Sequence, residues 1–396
     1  MAAATDLTPF LSPARLAVIV ASRFVLNAMF RVAYPLIPFV AGHFAISLDV
    51  ATWIVTLQVL SGLLSPAGGW LGDRIGFRAT MLIGFALALL GALGATVAPT
   101  FALLVMAFAI FGVGVALYQP SMQAYVAVLT PYQQRGRAFG VVELSWALAG
   151  IAAVPPLTWL VEAQGGLAAA FGLLAASIAV MGLLTLLLLP PEPRQPRVVT
   201  HAQTHPAIWS PSVFGMLGFI ALAMGGTELM YIAQPAWATE QFQVSLLDLG
   251  TASLVYGVGE LLGATGSTLL TDRLGKRRAA LLGFSLTALA FVALPSIGAS
   301  WPLYLTMYFL LGVCVEFAIV ASLTLASTVT LIGRATVMAL VIAIMQIGRA
   351  LASRLGVPLL TLASLYGNAA VAAALTLLGV LIAWRFVREA EATSSA

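Results

Sequence analysis

Long uninterrupted apolar runs fill the chain, separated by short polar breaks. A spanning helix needs about 20 apolar residues. Twelve runs meet that length, at roughly 15–40, 49–70, 79–98, 101–127, 138–162, 168–189, 213–238, 246–270, 279–298, 302–328, 335–362 and 367–387. Most breaks are turns such as Pro99-Thr100 or Ser300-Trp301-Pro302. The pattern predicts an all-α membrane protein of 12 transmembrane helices. The sizeable break is 190–212, whose prolines remove backbone donors and stop the sixth helix. It divides the chain into an expected six-helix bundle over 1–189, a linker over 190–212 and a second six-helix bundle over 213–396.

The breaks repeat. Gly69-Trp70-Leu71-Gly72-Asp73-Arg74-Ile75-Gly76-Phe77-Arg78, after the second run, has a near copy after the eighth, Thr268-Leu269-Leu270-Thr271-Asp272-Arg273-Leu274-Gly275-Lys276-Arg277. Tyr34-Pro35 in the first run corresponds to Gln234-Pro235 in the seventh, and Gly136-Arg137-Ala138 to Gly333-Arg334-Ala335. Landmarks at matched offsets mark an internal repeat. Two halves of six spans point the same way and are therefore pseudo-symmetric about the membrane normal, an arrangement that carries a midplane site between the halves.

Composition sharpens this picture. The chain of 396 residues is 61% hydrophobic and 8% charged, with a mean hydropathy of +1.04. Ordinary soluble domains are about 25% charged, so the expected solvent is lipid. The net charge of +4 does not indicate nucleic acid, because the basic residues are scattered through hinges without interleaved aromatics. The one cysteine, Cys314, has no disulfide or metal-ligand companion. His201 and His205 sit in a Pro-rich linker without a third ligand, so no metal is expected. No Gly-Lys-Ser/Thr phosphate loop or Ser/His/Asp arrangement is present. No enzyme activity and no cofactor are expected.

Charge also sets orientation. Arg74, Arg78, Arg135, Arg137, Arg194, Arg197, Arg273, Lys276, Arg277, Arg278, Arg334, Arg385 and Arg388 all fall on one side of the alternating spans. The opposite loops carry acids such as Asp49, Glu162, Glu240 and Asp248. The positive-inside rule makes the hinge side cytoplasmic, with both termini on it.

In these features the chain resembles the major facilitator superfamily over essentially its whole length. Gly69, Leu71, Asp73, Arg74, Gly76 and Arg78 fit that superfamily's signature loop, and Leu270, Asp272, Arg273, Gly275 and Arg277 fit its second copy, where Thr268 replaces the first Gly. Twelve spans, tiny outer loops and a short linker look like the bacterial drug-efflux branch. The chain departs from that branch at Phe108, where many proton-driven members carry Arg, and at Val154-Pro155-Pro156, where the antiporter signature ends in Gly-Pro. The resemblance implies alternating access in a bacterial cytoplasmic (inner) membrane.

Ionisable groups inside a membrane are functional candidates by default. Arg23, Asn27, Arg31 and Tyr34 share a face of the first helix, and Glu228, Tyr231 and Gln234 a face of the seventh. Glu260, Glu316 and Arg349 stand near mid-depth, with Glu316–Arg349 an expected pair. Glu260 has no evident partner in its own helix; Arg354 or a polar group across the interface could serve. Glu228, Glu260, Glu316, Arg31 and Arg349 are the expected proton-coupling and charge residues. The expected substrate cavity comprises Asn27, Arg31, Tyr34, Tyr118, Gln119, Met122, Trp146, Tyr231, Gln234, Tyr256 and Gln346. Each has a bland alternative: arginines snorkel, buried pairs are structural, and aromatics form interfacial belts. Gly69, Asp73, Arg74, Gly76, Arg78, Asp272, Arg273 and Glu143 are expected to form a cytoplasmic latch, with Asp73 facing the start of the eleventh helix near Arg334-Ala335.

The expected function is secondary-active export of small amphipathic or lipophilic compounds in exchange for protons. The rival is uptake or facilitated transport of an anionic metabolite or lipid held by Arg31 and Arg349. The expected partners are a small-molecule substrate, protons and the lipid bilayer, and the chain is expected to act as a monomer.

Overall fold

The computed structural model describes residues 11–131, 134–192, 209–297, 300–330 and 334–389. Most of the linker, with His201, His205, Arg194 and Arg197, lies outside the described residues. The chain is an all-helical, multi-pass membrane protein. The first half comprises α1 (Pro13–Val32), α2 (Leu48–Ile75), α3 (Phe77–Val97), α4 (Phe101–Leu129), α5 (Arg135–Gln164) and α6 (Ala168–Leu188). The second comprises α7 (Pro211–Phe242), α8 (Leu246–Leu274), α9 (Lys276–Ile297), α10 (Trp301–Ala326), α11 (334–362) and α12 (365–386).

The last two spans form one run of 53 helical residues, Arg334–Phe386. At 1.5 Å per residue such a helix would be roughly 80 Å long, more than twice a bilayer core. Non-helical backbone at Ala363 and Ser364 divides it in two. In lipid every backbone group must be satisfied internally, which is why helices carry the whole span. Their first turns are closed by side chains: Ser12, Thr100, Ser210 and Ser245 each accept from a backbone N–H three residues on.

Within each half, small residues let backbones approach. A Cβ on Gly84 of α3 would lie 2.7 Å from the Gly114 carbonyl of α4, and one on Gly312 of α10 would lie 2.6 Å from the Tyr256 carbonyl of α8. Such contacts replace the hydrophobic drive that lipid does not provide. Leucines such as Leu90, Leu187, Leu289 and Leu362 remain exposed, a surface suited to hydrocarbon.

Both hinges fold alike. Gly76 and Gly275 take φ of 102° and 83°, a region that disfavours any side chain. After Gly76, the Glu192 carboxylate receives the N–H groups of Phe77 and Arg78, while the Arg78 guanidinium donates to the Leu186 carbonyl. After Gly275, Glu389 receives the Arg277 N–H and the Arg277 guanidinium donates to the Trp384 carbonyl. Each hinge is thereby clamped to the end of the sixth helix of its own half, where a carboxylate also meets the positive end of a helix dipole.

Among the described residues, the contacts between the halves lie at mid-depth and on the side away from the hinges. On the α2–α11 seam it runs from Asp49–Arg354 through Thr56–Ser353 at 2.9 Å to Gln346, which donates to the Val59 carbonyl at 3.3 Å. There α2 tightens to a 3-10 turn over Ser61–Leu64, and Gly62 leaves room for the Gln346 side chain. Beyond it, Ser65–Ile75 makes no substantial contact with α11 among the described residues. The α5–α8 seam is also packed away from the hinges, with Gly250 against Thr158 and Gly257 against Ile151. Among the described residues the halves are therefore parted on the hinge side, leaving a cleft there.

Candidate functional site

The charged residues within the spans form layers. In the middle lie two neighbouring ion pairs. Arg31 of α1 meets Glu260 of α8 at 2.7 Å, joining the two halves, with both side chains buried. Glu260 also receives the Trp146 indole N–H at 3.0 Å and the Tyr231 hydroxyl at 3.3 Å. The Arg31 guanidinium lies over the Trp146 ring, 4.8 Å from its centroid. The second pair, Arg349–Glu228 at 2.8 Å, joins α11 to α7 and is touched by the hydroxyl of Tyr34, just beyond the end of α1.

Local backbone explains how Arg31 fits. Pro155 and Pro156 have no N–H, so α5 loses two of its regular hydrogen bonds and passes through a π turn over Ala149–Ala153. Gly150 in that turn faces Arg31: a Cβ there would lie 2.7 Å from Nη2. The departure from the Gly-Pro ending thus belongs to a notch built for a guanidinium. The sequence shows the departure at Val154-Pro155-Pro156 but not the guanidinium that it accommodates.

Away from the hinges, Arg354 grips Asp49 through both carboxylate oxygens at 3.0 Å and donates to the Thr52 hydroxyl at 2.7 Å. It stacks over Trp53 at 4.4 Å. On the other seam, Glu162 of α5 receives the Leu247 N–H at 2.6 Å, at the start of α8. A cavity of about 530 Å³ lies on the same side, lined by Pro38, Ala41 and Leu48 from one half and Ala236, Thr239 and Glu240 from the other. The Asp49–Arg354 grip escaped sequence reasoning, although Asp49 stood out as an acid in loops without bases.

On the hinge side of the ion pairs, Arg23 is bound to Glu143 through both oxygens at 2.6 and 2.7 Å. Glu316 on α10 is half-buried and holds no hydrogen bond or ion pair among the described residues. Its electrostatic neighbours are Glu260 of its own half and Arg31, Glu143 and Arg23 of the other, so it faces the interface between them.

Several expected contacts differ. Arg349 pairs with Glu228 and not with Glu316. The reason is that α11 packs on α7, with Gly348 against Ala221 and Gly225 against Gly348, which sets Arg349 beside Glu228. Arg354, one candidate partner for Glu260, belongs to Asp49. Glu143, expected in a latch, is tied to Arg23 of its own half. Asp73 is exposed and has no ion-pair or hydrogen-bond partner among the described residues; the Arg334 and Ala335 side chains are outside the described set. Asp272 and Arg273 are also exposed, while Arg74 stacks on Trp70 at 3.9 Å.

The proposed cavity wall divides as well. Tyr34, Trp146 and Tyr231 gather about the two central ion pairs, and Gln346 lies on the α2–α11 seam. Asn27 donates to Ser145 at 3.2 Å inside the first half, and Gln234 to Tyr304 inside the second. Tyr118 and Met122 are buried in the first bundle, with Tyr118 edge-on to Phe85. Tyr256 is buried between Tyr231 and Tyr308. Gln119 is exposed and joins none of these hydrogen bonds. A helical face fixed by spacing alone does not say which neighbour it turns towards.

Comparison with known proteins agrees with this architecture. The model of the Major Facilitator Superfamily matches residues 19–227 and again residues 215–396. The synaptic vesicular amine transporter of Bos taurus is 27% identical over 241 residues, covering 61% of this chain and 46% of its own. An uncharacterised MFS-type transporter of Bacillus subtilis (strain 168) is 24% identical over 273 residues, 66% of this chain and 67% of its own. The arabinose-proton symporter of Escherichia coli (strain K12) is 25% identical over 159 residues, 40% of this chain and 33% of its own. This chain spans about half the length of the amine transporters it matches. Among solved structures, a bacterial homologue of the human lysosomal transporter Spinster superposes with a TM-score of 0.74 at 14% identity, over 93% of this chain and 95% of that one. The peptide transporter POT, as a mutant with sulfate, superposes with a TM-score of 0.73 at 17% identity, over 95% and 96%.

Proposed function

The chain belongs to the Major Facilitator Superfamily of membrane transporters, and on that premise we propose that it exports small amphipathic compounds carrying positive charge in exchange for protons. It works by alternating access in a bacterial cytoplasmic membrane, as a monomer, with bundles over 1–189 and 213–396, the linker 190–212 and both termini cytoplasmic. The basic hinges support that orientation, and in it the open cleft faces the cytoplasm, where an exporter loads.

The observation that carries the reading is a charge imbalance. The four arginines deep in the spans, Arg23, Arg31, Arg349 and Arg354, each have a carboxylate partner. Around Glu316, two guanidiniums (Arg31, Arg23) stand against three carboxylates (Glu260, Glu143, Glu316). An unpaired charge in a low-dielectric cleft is costly until a counter-charge or a proton arrives. A cationic substrate and a proton can therefore compete for the same carboxylate, which is the requirement for exchange. An anionic substrate would need a free cation, and each deep arginine is already neutralised; this disfavours uptake of an anion. The amine transporters among the relatives are compatible with a cationic cargo. Trp146 and Tyr231 give the cleft aromatic surface beside the charges, suited to a cation with an apolar body.

The test uses reconstituted vesicles and radiolabelled tetraphenylphosphonium as the cationic probe. An imposed pH gradient should drive its accumulation by the wild type, and Glu316→Gln should lower that rate at least about tenfold, the factor that corresponds to 1.4 kcal/mol. Wild-type rates in the variant, or a wild type indifferent to the gradient, would remove this reading.

A further inference from the structure

The Glu228–Arg349 pair belongs wholly to the second half, yet one group of the first half completes it. Arg349 Nε donates to Glu228 Oε2 at 2.8 Å, and Arg349 Nη2 donates to Tyr34 Oη at 2.7 Å. Tyr34 Oη donates to Glu228 Oε1 at 2.9 Å. The three side chains close a ring with three donors and three acceptors. Tyr34 is set there by its own sequence. Pro35 has no N–H and disfavours helical backbone before it, and α1 breaks after Val32 and resumes as a short helix at Ile37–His43, with Tyr34 in the break. Tyr231 holds the Tyr34 ring edge-on, with centroids 5.6 Å apart.

We propose that Tyr34 is the positioning residue through which the protonation state of Glu228 is transmitted to the first half. The inference rests on the proton-coupled reading above. With Glu228 ionised, every donor in the ring has an acceptor. A proton at Oε1 makes that oxygen a donor facing the Tyr34 O–H; a proton at Oε2 faces the Arg349 Nε–H. Either way one hydrogen bond opens. Losing a buried partner shifts a conformational equilibrium by roughly ten- to a hundredfold. The empty, ionised protein is thus held with its hinge side open, and the proton frees it to rock. An exchanger needs this rule, because an empty carrier that crosses the membrane dissipates the gradient.

The groups around Glu228 fit the assignment. From α11 it faces Arg349, and from the break after α1 it faces Tyr34. Glu260 on α8 forms the neighbouring pair with Arg31 and is bonded to Tyr231, not to Tyr34. Glu316 on α10 has its electrostatic neighbours elsewhere. On α12, packed against α7 at Gly226, Ala372 and Thr376 approach, and no charged residue occurs at that depth.

The experiment is a spin-label distance measurement across the hinge side at pH 8 and pH 5, without substrate. Labels go on the exposed positions Arg137→Cys and Arg278→Cys in a Cys314→Ala background. The wild type should gain a shorter, hinge-closed population on acidification. Tyr34→Phe should show the same distribution at both pH values. Glu228→Gln, a permanently neutral group, should hold the hinge-closed population at both, and it keeps the test standing if Tyr34→Phe folds poorly. A wild type that ignores pH also overturns this inference, while the gradient-driven flux of the previous test decides the proton-coupled reading separately. A wild type that responds, with Tyr34→Phe responding equally, overturns this inference alone.

Discussion

The two layers of charge that join the halves have opposite polarity and different burial. At mid-depth the first half gives the base, Arg31, and the second half gives the acid, Glu260; their side chains are 7% and 2% exposed. Away from the hinges the first half gives the acids, Asp49 and Glu162, and the second gives Arg354 and the start of α8. There the Arg354 and Asp49 side chains are 26% and 37% exposed. Opposed polarity means that sliding one half along the other would bring like charges together, so register is enforced by repulsion as well as attraction. The burial difference assigns separate work. A buried pair is expensive to break, since either partner alone is an uncompensated charge. A half-exposed pair is screened and trades readily for water. We propose on this ground that the middle layer serves as a joint and the outer one as a gate.

The largest expected effect tests the joint. Glu260→Ala leaves Arg31 buried without a counter-ion and should destabilise the protein by about 3–5 kcal/mol. This would appear as a lower thermal midpoint in detergent together with loss of transport. Replacing both partners, Arg31→Met with Glu260→Met, should recover most of the midpoint but none of the transport. A double variant as unstable as the single one would mean that the surrounding hydrogen bonds, not the charge, dominate. Next comes the gate. Asp49→Asn should cost less than about 1 kcal/mol and favour opening on that side. A cysteine at Ala41, in the Cys314→Ala background, should then react several-fold faster with an impermeant maleimide. Unchanged labelling would show that Glu162 and apolar packing suffice to hold the gate shut.

Which of these contacts could be read from the sequence follows from the physics of each. Spans depend on local hydrophobicity, so all twelve runs are legible, including the division of the last 53-residue helix, which bilayer thickness demands. The hinges are legible because positive φ at Gly76 and Gly275 is a local requirement. Partner choice is not local. Whether Arg349 meets Glu316 or Glu228 depends on how α11 is rotated against α7, and Gly225 and Gly348 settle that by backbone approach. Asp49–Arg354 joins residues from opposite halves and leaves no trace in either helix alone. The role of Gly150, room for Arg31, is not legible in α5 because the guanidinium comes from another helix.

The smallest expected effect concerns Asp73. It is exposed on the open side without a partner, so Asp73→Asn should change stability by no more than about 0.5 kcal/mol. We propose that its contact forms when the hinge side closes, so flux should still fall several-fold while probe binding survives. Wild-type flux in that variant would take the first hinge out of the cycle and leave the ion pairs to carry it.

The clamp at Glu192 has a consequence for anyone who re-engineers the chain. Its carboxylate grips the amides of Phe77 and Arg78, so the stretch that leaves α6 is fastened to the first hinge before the linker begins. A tag, fusion or epitope inserted after Glu192 lies on the far side of that anchor from the hinge. The same insertion a few residues earlier would pull on the turn at Gly76, and would perturb the transporter while seeming only to decorate it.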